Sequence, residues 1–108
     1  MKELHLVLKS GPEAVHTLEV LRHAGFNGTV IGSDSVRTAL EDLPEEHHFF
    51  NLRHYEKGKA SESIVCLFLL NEDKIEEAKS IIRETTKGFT AIKGAMYTQE
   101  VDGYEGSI

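Results

Sequence analysis

The chain has no tryptophan, one cysteine and two prolines in 108 residues, and its basic residues number twelve against eighteen acidic ones. The lone Cys66 excludes an intramolecular disulfide, and with it any CxxC or multi-cysteine zinc site. A formal charge of −6 with neutral histidines is opposite in sign to the footprint that phosphate backbones select, which argues against a nucleic-acid partner. Long apolar runs are missing too. The longest, Ile64 to Leu70, is far too short to span a bilayer, so no membrane span is expected. Glu3 and His5 interrupt the first apolar stretch, which reads as a strand and not as a signal peptide; a cytoplasmic location is the expectation.

What is present is the composition of a folded domain, 40% hydrophobic and 28% charged, and its length predicts a single domain over 1–108. Leu4, Leu6 and Leu8 alternate with polar or smaller residues and predict a strand. Ser10-Gly-Pro-Glu13 then predicts a helix start, with Ser10 capping and Pro12 in the first turn. Ala14, Thr17, Leu18, Leu21 and Ala24 form its apolar stripe, Gly25 its stop, and Thr29 to Ile31 a second strand. The order repeats in the second half. Ile64 to Leu70 predicts a strand, Asn71 a cap, Ile75, Ala78 and Ile82 a buried helix stripe, and Ala95 to Val101 a last strand before a flexible tail, 102–108.

Strand-helix-strand repeated twice predicts an α+β fold, a ferredoxin-like βαββαβ sandwich with an antiparallel sheet and both helices on one face. Strand three is apolar on both of its sides, at Ile64, Cys66, Phe68 and Leu70 and again at Val65, Leu67 and Leu69. A sheet with one face in water does not favour that pattern, so the free face is expected to meet another subunit or the chain's own connecting segment.

That segment, 33–62, is too long for a structureless connection. Val36, Ala39, Leu40 and Leu43 predict a short helix capped by Asp34 or Ser35 and stopped by Pro44; Phe49 to Glu56 reads as extended, with a turn at Lys57-Gly58-Lys59. A long projecting loop between strands two and three results, the kind of segment that carries contacts to a partner protein.

Four sets of residues have chemistry to weigh. His47, His48 and His54, beside Glu45 and Glu46, are metal-ligand types, although an extended backbone places at most one of the adjacent pair with His54; a polar loop is the plainer reading. Cys66 lies in an apolar strand with no local base and reads as a packed thiol. His5 is the histidine best placed for an enzyme cavity, or else packs at a subunit contact. Finally, Gly32, Ser33, Ser35 and Arg37 after strand two, with Lys87, Gly88, Lys93 and Gly94 before the last strand, combine small residues and isolated cations. Such loops can hold a small anion, and they also serve as helix caps and turns. No GxxxxGK[ST] or GxGxxG phosphate loop is present, no catalytic set is identified, and no cofactor is indicated.

Element order, the doubly apolar third strand and the long loop, with the stretch Leu21-Arg-His-Ala-Gly-Phe-Asn-Gly-Thr-Val30 and the helix end Thr86-Lys-Gly88, make the chain similar to the PII-like signalling family over nearly its whole length. The resemblance implies a homotrimer with inward-facing sheets. It further implies a small effector, commonly an adenine nucleotide or cyclic di-AMP, in clefts between subunits, and a loop that relays its presence to a partner protein. Carried onto this chain, it puts Gly32 to Arg37 at the loop base and Lys87, Gly88, Lys93 and Gly94 in or beside the loop after the second main helix. The family's glycine-aspartate-glycine-lysine segment is replaced here by Gly88-Phe-Thr-Ala-Ile-Lys-Gly94, no basic pair follows Tyr97, and Tyr55 is the tyrosine of the long loop. Alternatives with similar folds are a CutA-like trimer binding divalent metal through His47, His48 and His54, lacking that family's tryptophan, an ACT-like amino-acid module, and a small dimeric enzyme.

Overall fold

A computed structural model describes residues 1–41 and 61–107. Strand β1 (Lys2–Lys9) is followed by helix α1 (Pro12–His23), strand β2 (Thr29–Ser33), a short helix α2 (Val36–Glu41), strand β3 (Ser63–Leu70), helix α3 (Glu72–Thr86) and strand β4 (Gly94–Glu100). The fold is α+β: one four-stranded antiparallel sheet in the order β2-β3-β1-β4, with α1 and α3 packed together on it. This arrangement is compatible with the ferredoxin-like expectation. The features expected at Leu43, Pro44, 49–56 and 57–59 lie outside the described residues.

Period-two alternation explains β1. Leu4, Leu6 and Leu8 are fully buried beneath the helices, with Glu3, His5 and Val7 on the opposite face. Pairing places Cys66 and Phe68 of β3 in the same core, where they meet Ala14 and Leu21 of α1 and Ile75, Ala78 and Ile82 of α3. Each buried Leu, Ile or Phe side chain among them contributes roughly 1.5–3 kcal/mol relative to exposure, so this shared layer dominates stability. Ala24, expected on the α1 stripe, is exposed, because the helix has ended at His23.

Helix ends differ from the sequence reading in two places. Gly11, not Ser10, is the residue before α1, with no side-chain cap, and Pro12 opens the first turn. Ser10 is committed elsewhere, since its N–H donates to the Glu62 carbonyl at 3.0 Å. Asn71 does precede α3 but makes no side-chain cap; its carbonyl accepts the Lys74 N–H at 2.9 Å. At the other end α3 is closed by three successive left-handed residues, Lys87 (φ 52°), Gly88 (64°) and Phe89 (63°). Thr86 underpins this turn: its buried hydroxyl donates to the Ile82 carbonyl at 2.6 Å and accepts the Phe89 N–H at 3.1 Å. The tail after Glu100 has no regular structure through residue 107.

Candidate functional site

Antiparallel order brings four chain segments to one end of the sheet. The end of β1, the end of β2, the start of β3 and the start of β4 converge there around a cleft of about 540 Å³. Its polar groups are Lys9, Ser33, Asp34, Ser35, Glu62 and Lys93, with Ser63 beside them, while Val7 and Ala95 supply apolar wall and Gly94 completes it. Backbone hydrogen bonding holds the two lysines together, since the Lys9 N–H donates to the Lys93 carbonyl at 2.9 Å.

The two carboxylates of the cleft are already engaged. Asp34 Oδ1 accepts the Glu62 N–H at 2.6 Å, and Ser35 Oγ lies 3.4 Å from Glu62 Oε2. Ser35 also caps α2, accepting the Thr38 N–H at 3.1 Å, as the sequence predicted for Asp34 or Ser35. A hydrogen bond from the Thr38 hydroxyl, with further bonds from Ser35, holds the Glu62 carboxyl below its ordinary range. Together these contacts clasp residues 34–38 to residue 62, the two ends of the segment between β2 and β3. The lysines are different: among the described residues neither Lys9 nor Lys93 enters an ion pair. The cleft thus presents two available ammonium groups and several hydroxyls beside carboxylates that the clasp satisfies, a set able to bind a small anion.

Of the residues expected to bind ligand, Ser33, Ser35, Lys93 and Gly94 line this cleft together. Gly32 is adjacent in β2 and does not line it; a Cβ there would collide with the Ser61 hydroxyl, so local packing accounts for the glycine. Gly94 has a similar reason, because a Cβ would run into the Val7 carbonyl. Arg37 stays outside. Its side chain is 87% exposed on α2 and pairs with Glu41 at 3.0 Å. Lys87 lies in a separate cleft of about 520 Å³ between α1 and α3, beside Glu13, His16 and Glu84, and Gly88 belongs to the turn that ends α3. Lys9 and Glu62 were not anticipated. Lys9 was visible only as the last residue of an alternating strand, and its proximity to Lys93 depends on β1 and β4 being neighbours.

His47, His48, His54 and Tyr55 lie outside the described residues. Among the described residues no group of three or more histidine, cysteine or acidic side chains could hold a metal ion. Burial pushes the Cys66 thiol up to about 11, which leaves it protonated at neutral pH and a poor nucleophile. No described helix is long and apolar enough to cross a membrane. Comparison with models of known protein families and with curated proteins finds no match to this chain.

Proposed function

We propose that the chain is a non-enzymatic, PII-like sensor of ferredoxin-like topology that binds a small anionic ligand in the cleft at the end of its sheet. The observation that carries this reading is the convergence of Lys9 and Lys93, without ion-pair partners among the described residues, on the clasp that closes the base of the 34–62 segment. The sheet order β2-β3-β1-β4 supports the topology, and the apolar residues on the free face of the sheet support cover by further copies, three in the family that the sequence resembles. A free buried thiol suits a reducing cytoplasm.

The mechanism is a population shift. An anion held by the lysines also meets Ser33 and Ser35, so it binds differently to clasped and unclasped arrangements of Asp34, Ser35 and Glu62. That difference in affinity sets how far the 34–62 segment, and a partner protein reading it, can respond. An adenine nucleotide is the probe to try first, with ATP, AMP and cyclic di-AMP titrated by calorimetry. Lys9→Ala and Lys93→Ala each remove one charge-assisted contact and are expected to weaken the bound probe by ~10-fold or more. Arg37→Ala, whose guanidinium engages Glu41 away from the cleft, should leave affinity unchanged. Undiminished binding in the double lysine variant would place the ligand elsewhere.

A further inference from the structure

The cleft does not stop at its apolar wall. On the sheet face turned away from the helices, β1 and its edge neighbour β4 set Lys9 beside Lys93, Val7 opposite Ala95, His5 opposite Tyr97 and Glu3 opposite Gln99. The first two pairs line the cleft. Ala95 adds only a methyl group to this column, so the next large side chain on β4 after Lys93 is Tyr97, which is 54% exposed. This open ring is held from behind. The His5 ring stacks on it, centroids 4.5 Å apart and planes 19° apart. His5 is fixed in turn, since its Nε2–H donates to Glu3 Oε1 at 2.5 Å, and the Gln99 Nε2–H donates to the same oxygen at 3.2 Å. An aromatic ring already held by its neighbours loses little freedom when a second flat ring stacks on it.

We propose that the ligand of this cleft is a nucleoside triphosphate lying along β4, with its phosphates at Lys9 and Lys93, its sugar over Ala95 and its base against the Tyr97 ring. The proposal rests on the reading of the cleft as an anion site, and it names the class of anion and its direction. Lys93 and Tyr97 are four residues apart on an extended strand, ~13 Å. A small aromatic acid cannot touch both, whereas base, sugar and phosphate chain follow one another over such a length. Charge sets the direction. Glu3 stands beyond Tyr97 with no lysine or arginine partner among the described residues, so that end repels phosphate. Asp34 and Glu62 at the other end are acidic too, but they accept hydrogen bonds within the clasp, and the two ammonium groups there enter no ion pair among the described residues. Because β1 lies between β3 and β4, a copy seated on Val65, Leu67 and Leu69 borders this column without having to cover it.

Calorimetric titration of the full chain with ATP, GTP and inorganic tripolyphosphate tests this, because tripolyphosphate brings the charge without the base. Tyr97→Thr, which keeps a β-favouring residue but removes the ring, is expected to weaken ATP and GTP by ~5-fold or more and to leave tripolyphosphate unchanged. The double variant Lys9→Ala, Lys93→Ala should weaken all three probes, with circular dichroism reporting that each variant is folded. In the wild type, the Tyr97 ring protons should shift upfield in NMR spectra with either nucleotide and stay in place with tripolyphosphate. If the lysine variant weakens every probe but Tyr97→Thr spares the nucleotides, or the ring protons do not move, the base is not on Tyr97 while the anion cleft stands. Tripolyphosphate binding without nucleotide binding would make the ligand class wrong and again leave the cleft. If no probe binds, or the lysine variant binds each as the wild type does, the anion cleft is itself wrong and this proposal goes with it.

Discussion

At the residue scale the clasp at Glu62 is the most sensitive point of the candidate site. Its carboxyl sits below the ordinary value of 4.5 because the Thr38 hydroxyl and Ser35 donate to the charged form. A carboxyl lowered on folding stabilises the folded contacts above its unfolded value and loses that contribution as pH falls through the folded one. The side-chain part of the clasp is thus intact at neutral pH and is lost as pH falls below about 4.5, whereas the bond from the Glu62 N–H to Asp34 does not need the Glu62 charge. The expected observation is a concerted shift of the Thr38 and Glu62 amide resonances in an NMR titration below that pH, abolished in Glu62→Gln. A Thr38 amide that ignores the titration would contradict the clasp. Ser33, Ser35 and Lys93 were legible as site candidates from residue type alone; Lys9 and Glu62 were not, because their roles come from neighbours distant in the chain.

Among the elements, the end of α3 shows how a local signal can be read for the wrong purpose. Lys87 and Gly88 look like a cation and a flexible residue offered to an anion, yet their backbone is used to reverse the chain. The Gly88 N–H donates to the Arg83 carbonyl at 2.8 Å, and the Phe89 and Thr90 N–H groups return to Thr86. These amides are consumed inside the turn and none of the three points to a ligand. A left-handed lysine costs ~1–2 kcal/mol, of which glycine would recover part after its own entropy loss. Lys87→Gly is therefore expected to raise unfolding stability by ~0.5–1 kcal/mol in urea titration. Loss of stability instead would show that the Lys87 side chain holds the turn. At the start of α1 the same lesson holds in reverse: Ser10 matches a capping pattern, but its backbone is drawn to Glu62 across the cleft.

For the whole molecule, the partly buried Val65, Leu67 and Leu69 on the free face set the question of assembly. A domain of this size has one core, here the layer between the sheet and the two long helices, and the second apolar side of β3 is left over. If copies cover it, folding and association are coupled and the melting temperature rises with protein concentration by mass action. Calorimetry over a ~100-fold concentration range is expected to show that rise, and a constant midpoint would indicate that the monomer is the stable unit.

The sequence by itself determined the element order, the core residues of β1 and α3, an α2 cap at Asp34 or Ser35 and the excess of apolar residues on β3. Those follow from short-range periodicity and from turn chemistry that acts within a few residues. Only the tertiary structure decided that β1 lies between β3 and β4, and hence that Lys9 meets Lys93, that Ser10 serves Glu62, that Arg37 and Lys87 stand apart from the cleft, and that Glu3, His5, Tyr97 and Gln99 form one cluster. Each of these depends on which strands are neighbours, a choice made by burial summed over the whole sheet that no window of the chain encodes alone.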